Sequence, residues 1–234
     1  MHLLLSPPVK APPAVHGTYD EAKFPLVLLT VLVLILAASG VHPPAGRENW
    51  LLEVVPGLLG LAALAIAFPR FPMSRLVYAL AFAHMLVLDY GGFYTYANTP
   101  LGNWAKEVFH FSRNHYDRVG HFALGFVPAI VLREVLLRRT PLERGPWLAF
   151  LICSVALALG AFWELLEMWT TFIVAGDVGD AFLGAQGDPW DAQWDMFFVL
   201  IGAMVALPML GAAHDRSLEG LFTRAKYPKL SQRA

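Results

Sequence analysis

The sequence predicts an all-α, polytopic integral membrane protein with six transmembrane helices, and three observations carry that reading. Apolar residues fill 57% of the 234 positions and charged residues only 15%, against roughly 45–50% and about 25% in a soluble domain. The apolar residues gather into six runs, each near the ~20 residues that cross a hydrocarbon core. The gaps between runs are short and carry loop chemistry, such as His42-Pro43-Pro44-Ala45-Gly46 and Pro69-Arg70-Phe71-Pro72.

The runs follow in order. The first, Phe24–Val41, ends near Ala37-Ala38-Ser39-Gly40, which resembles a signal-cleavage site. Its upstream segment is long and contains proline, and the run exceeds a usual signal core, so a retained helix is expected after a tail over residues 1–23. The second, Asn49–Phe68, and third, Ser74–Tyr94, flank the Pro69–Pro72 loop. The longest gap, Ala97–Tyr116, is polar and aromatic and is expected at the surface as an interfacial helix. Asp117–Leu137, Trp147–Ile173 and Asp191–Ala213 complete the set. Pro56, Pro128 and Pro208 within these runs are tolerated in membrane helices. Residues 24–213 thus form one six-helix domain, and residues 214–234 a second tail.

With six crossings, thirteen of the seventeen Lys and Arg residues fall on one face. Positive charge favours the cytoplasmic side, so both termini and both tails are expected there. Six of the seven tryptophans, Trp50, Trp104, Trp163, Trp169, Trp190 and Trp194, then lie near the outer interface and Trp147 near the inner one, as aromatic belts do. The net charge of −1 gives no reason to expect nucleic acid. Cys153 is the single cysteine, which excludes an intramolecular disulfide and a cysteine-based zinc site.

Charged residues fused to spanning helices are costly and mark functional sites by default. Asp117 and His121 open the fourth helix at i, i+4; Glu164 and Glu167 sit at i, i+3 in the outer third of the fifth; Asp191 and Asp195 open the sixth at i, i+4. Glu53 in the second helix and Asp89 near the outer end of the third lie at the same depth, with His84 deeper. Carboxylates gathered at one depth repel and lose hydration unless a cation, shared protons or a guanidinium such as Arg118 compensates. Taken alone, Asp117 and Asp191 suit helix N-caps, and His110 and His115 suit a solvated loop. Glu164, His121 and Asp195, a turn or more inside their helices, have no such plain explanation.

Tyr116-Asp117-Arg118-Val119-Gly120-His121-Phe122, Phe162-Trp163-Glu164-Leu165-Leu166-Glu167 and Gln193-Trp194-Asp195 with Gly202 together resemble the YjdF-like family of bacterial inner-membrane proteins, a family of unknown function. The likeness spans about Leu76–Leu207. It implies a multi-pass protein of the bacterial inner membrane and supplies no catalytic residues. More distantly, Asp117–His121, Glu164–Glu167 and Asp191 with Asp195 and Gly202 are similar to motifs of VanZ-like membrane proteins, which implies envelope chemistry.

Three functions stay open. In the first, Asp117, His121, Glu164 and Asp195 hold a divalent Mg, Mn or Zn ion in an enzyme acting on a lipid or lipid-linked envelope precursor. Asp191 or Glu167 is then the general base, and Arg118 and Asp89 are substrate contacts. In the second, the same residues serve ion- or proton-coupled transport or binding. In the third, they are an ion-paired network in a structural membrane protein. The expected partners are membrane lipids and further copies of the chain.

Overall fold

The computed structural model describes residues 16–173 and 183–226. They form seven α-helices: α1 Tyr19–Ser39, α2 Arg47–Ala67, α3 Arg75–Tyr94, α4 Pro100–Phe109, α5 Tyr116–Arg139, α6 Pro146–Ile173 and α7 Asp191–Lys226. A 3-10 turn, Tyr96–Asn98, precedes α4, and no strand occurs among the described residues. All the helices except α4 are long and apolar enough to cross a membrane, and the protein is a multi-pass membrane protein.

Local chemistry explains several helix ends. The Thr18 hydroxyl accepts the Glu21 amide at 3.3 Å, with Asp20 and Glu21 in the favourable first turn of α1. Pro100 opens α4, where its missing N–H costs nothing, and His110 closes it in the left-handed conformation (φ 56°). The helix expected in the long gap is therefore α4. It leaves Leu101, Trp104 and Val108 exposed along one stripe, as a helix lying in the membrane interface does.

Helix α5 is the hub. In its apolar window 44% of residues are buried, against 11% in α1 and in α2, so α5 is surrounded by protein while α1 and α2 face lipid. It packs on α3, α6 and α7, whereas α1 and α2 pack on α3. The core where α3, α5, α6 and α7 meet is built from Val77, Ala129, Ile130, Ile152, Val199 and Ala203.

Glycine sets the closest contact. A Cβ at Gly125 of α5 would fall on the carbonyl oxygen of Val199 in α7, and one at Gly202 of α7 on the carbonyl oxygen of Phe122 in α5. The two backbones touch there, as small residues permit in membrane bundles.

Two boundaries differ from the sequence reading, the first being the start of α1 at Tyr19 rather than Phe24. Helix α7 continues through Lys226 rather than ending near Ala213. Beyond Ala213 the apolar run stops, but Leu218 and Leu221 keep a buried face at helical spacing, and a helix docked on protein needs no unbroken apolar run.

Candidate functional site

The α5–α7 glycine seam brings Asp195 of α7 against His121 of α5, and α6 closes the third side. His121 Nδ1 lies 3.3 Å from Asp117 Oδ1 and 3.4 Å from Asp195 Oδ1, and Nε2 lies 3.0 Å from Glu164 Oε1. The Asp117 carbonyl oxygen is a further neighbour at 3.3 Å. His121 is only 5% exposed and Asp195 2%. These neighbours of the ring are all acceptors, yet a neutral imidazole has one N–H to give. Although they face each other, His121 Nε2 and Glu164 Oε1 are buried without an aligned hydrogen bond, as is Asp195 Oδ1. Buried polar atoms of native proteins are normally paired, so each exception calls for a cause.

Two overlapping donor sets have ligand atoms within 4.8 Å of one another: Asp117–His121–Asp195 and His121–Glu164–Glu167. All four residues expected to hold a metal thus converge on His121, and Glu167 joins them. Glu167 Oε1 also accepts the Trp163 indole N–H at 2.7 Å.

Above this cluster lies a guanidinium latch. Arg113, just before α5 and 5% exposed, pairs closely with Asp191 and donates to the carbonyls of Gly184 and Ala185 at 3.1 Å each. It also faces Asp188 at 3.5 Å and Asp117 at 4.0 Å. Beside it the Asn114 amide donates to Gln186 Oε1, and Gln186 Nε2 donates back to the Asn114 carbonyl. Arg118 Nη2 binds Asp188 at 2.8 Å, its Nη1 meets His115 Nδ1 at 3.0 Å, and the group lies over the Trp194 ring. Burial, then Arg118 and Arg113, hold His115 below its ordinary imidazole range.

The expected residues therefore separate. Asp191 is engaged by Arg113, and Arg118 is turned toward Asp188. Asp89 is elsewhere: its Oδ1 accepts from Ser39 at 2.6 Å and from the Trp50 indole at 2.9 Å, bracing α1 and α2 on α3.

A cavity of about 440 Å³ opens beneath the cluster. Glu53, Tyr96, Asp117, His121 and Glu167 form its polar end, and α2, α3, α5 and α6 contribute apolar walls. Burial pushes the Tyr96 hydroxyl well above its ordinary range. His84 also lines the cavity, with its Nε2 unpaired.

The opposite end of the bundle holds a second cluster that sequence reasoning missed. Glu134 and His214 are fully buried. His214 Nε2 meets Glu134 Oε2 at 3.0 Å and its Nδ1 meets Arg133 at 2.6 Å. Arg138 and the Ser74 amide donate to Glu134 Oε1, while Arg133 and Arg144 donate to Asp215. The sequence signal for it was faint: Glu134–Arg138 at i, i+4 reads as a solvated pair, and His214 is eighty positions away.

Comparison with known proteins adds the lineage. A family described as "Predicted membrane protein (DUF2238)" matches residues 24–216. The chain is 42% identical over 204 residues to "Inner membrane protein YjdF" of Escherichia coli (strain K12), covering 85% of this chain and 97% of that protein. No solved structure matches. The likeness to VanZ-like proteins has no support among these matches. The chain belongs to the DUF2238 family of membrane proteins.

Proposed function

We propose that this DUF2238 protein is an inner-membrane enzyme whose His121 cluster holds a divalent cation. The observation that carries the reading is the buried His121 ring with acceptors on both nitrogens and unpaired carboxylate atoms around it. Removing charges from water without pairing is costly; one cation on the Nδ1 side would be held by His121, Asp117 and Asp195, and would leave the Nε2 proton for Glu164. One imidazole with two carboxylates suits Zn²⁺ or Mn²⁺ better than Mg²⁺, which favours all-oxygen shells and bound water.

The chain's own groups divide the remaining work. Glu167, with one oxygen on Trp163 and beside His121, would serve as proton acceptor, and the cation would supply Lewis-acid polarisation. Asp191, tied to Arg113, is a positioning group that anchors the start of α7. Arg118, part-buried between Asp188 and His115, suits an anionic substrate group entering from the interface.

The positive-inside bias supports an outward-facing cluster with both termini in the cytoplasm. A reporter enzyme fused after Lys226 that is active only outside the cytoplasm would reverse this orientation.

The decisive measurement is metal content by mass spectrometry on detergent-purified protein, wild type beside His121→Ala/Glu164→Ala. About one ion per chain is expected in the wild type and little in the variant. No bound metal in the wild type would remove the cation reading.

A further inference from the structure

We propose that the cleft bounded by α2, α3, α5 and α6 holds one aliphatic chain of a membrane lipid, with the polar end of that lipid at the His121 cluster. This deepens the reading above by naming the substrate class of the same site, and its polar half rests on that reading.

Shape is the first argument. A volume of about 440 Å³ falls in the range of ligand pockets, roughly 300–1,000 Å³. The lining runs from Glu53 to Leu64 on α2 and from Asp117 to Leu132 on α5, where the part below the polar end begins at His121. At ~1.5 Å per residue the α2 wall is about 16 Å long and the α5 wall about 22 Å, of which about 16 Å lies below the polar end. One leaflet of a ~30 Å hydrocarbon core is about 15 Å deep. The cleft is therefore as long as a single lipid chain is deep.

Polarity is the second. Carboxylates and His121 sit at one end, while Leu61, Leu64, Leu124, Val131 and Leu132 line the rest, with His84 the polar exception. Water in the apolar stretch would lack the two to four partners it needs, whereas an aliphatic chain meets its own kind.

Access is the third. Among the described residues, α2 packs chiefly on α3, and α5 and α6 stand across the cleft from it. Nothing lies within 4 Å of a Cβ built at Gly60, although Gly60 lines the cavity. The missing side chain leaves room that neighbours do not fill.

The polar terminus suited to a cation-bearing site is an anionic oxygen, and phospholipids and polyprenyl phosphates both present one. The test uses full-length protein in phosphatidylethanolamine–phosphatidylglycerol vesicles. These are doped either with a phosphatidylglycerol carrying a diazirine acyl chain or with a diazirine prenyl phosphate. Irradiation and peptide mapping then locate the label. One probe is expected to label Met85, Leu88 and Leu124 in wild type and so to identify the source. That label should fall about tenfold in Gly60→Phe, whose ring occupies the chain's place. Bound metal and labelling of the lipid-facing Leu59 and Phe162 should stay unchanged. Gly60→Leu, a smaller filler, should show an intermediate loss and covers the case in which Gly60→Phe fails to fold. Cleft labelling that is absent in wild type, or undiminished in a folded variant, overturns the proposal. Cleft labelling that is sensitive to Gly60 in a protein without metal supports the chain site and refutes the cation.

Discussion

The two ends of this bundle each bury a histidine among carboxylates, and they solve the problem in opposite ways. At the Glu134 end donors and acceptors match. With its proton on Nε2, His214 donates to Glu134 and accepts from Arg133 at Nδ1, while Arg138 and the Ser74 amide complete Glu134. At the His121 end Asp117, Glu164 and Asp195 crowd one ring, while Arg113 is turned chiefly to Asp191 and backbone carbonyls and Arg118 to Asp188. A closed network of buried charges fastens helices. An open one leaves acceptors without matching donors. Burial alone does not separate the two cases; the balance of donors does.

That contrast can be broken by mutation. The largest effect is expected at the matched end, where Glu134→Ala strands Arg138 and His214 and should cost about 3–5 kcal/mol in SDS-driven unfolding. Asp195→Asn in cation-free protein relieves crowding and should cost less than about 1 kcal/mol. Equal losses would mean that both clusters are struts. Gly202→Leu forces α7 off α5 and should cost about 1–3 kcal/mol, and it should also lower bound metal because Asp195 leaves His121. Arg113→Lys keeps the charge but loses the fork that spans Asp191 and two carbonyls. Cation affinity, read by competition with a chelator, should then fall about 10–100-fold. Arg144→Ala is the smallest: its side chain is 61% exposed and Arg133 still holds Asp215, so a change within about 1 kcal/mol is expected.

The spans were legible because apolar runs of membrane length are hard to disguise, and so were Asp117, His121, Glu164 and Asp195, whose charges interrupt those runs at helical spacing. Arg113 was not. In a loop it counts as one more positive charge, and only the fold shows the Gly184 and Ala185 carbonyls turned onto it. Arg133 and Arg138 hid behind their own topological signal, since Arg near a helix end reads as orientation and not as a buried partner. Asp89 is the converse: a charge in a span whose partners Ser39 and Trp50 come from other helices and so could not be read from its own run. The cleft left no mark at all, since periodicity reports which face is apolar and not which neighbour is missing.

Helix α7 has a practical consequence. It leaves the core without a break through Lys226, and two side-chain bonds hold its last turns, the Ser217 hydroxyl under the Leu76 amide and Arg224 on Glu21 at 2.7 Å. A soluble partner spliced onto that helix in register would inherit the orientation of the membrane domain instead of swinging on a tether. For a 25.8 kDa chain, this supplies the fiducial that single-particle imaging needs, at the end farther from His121.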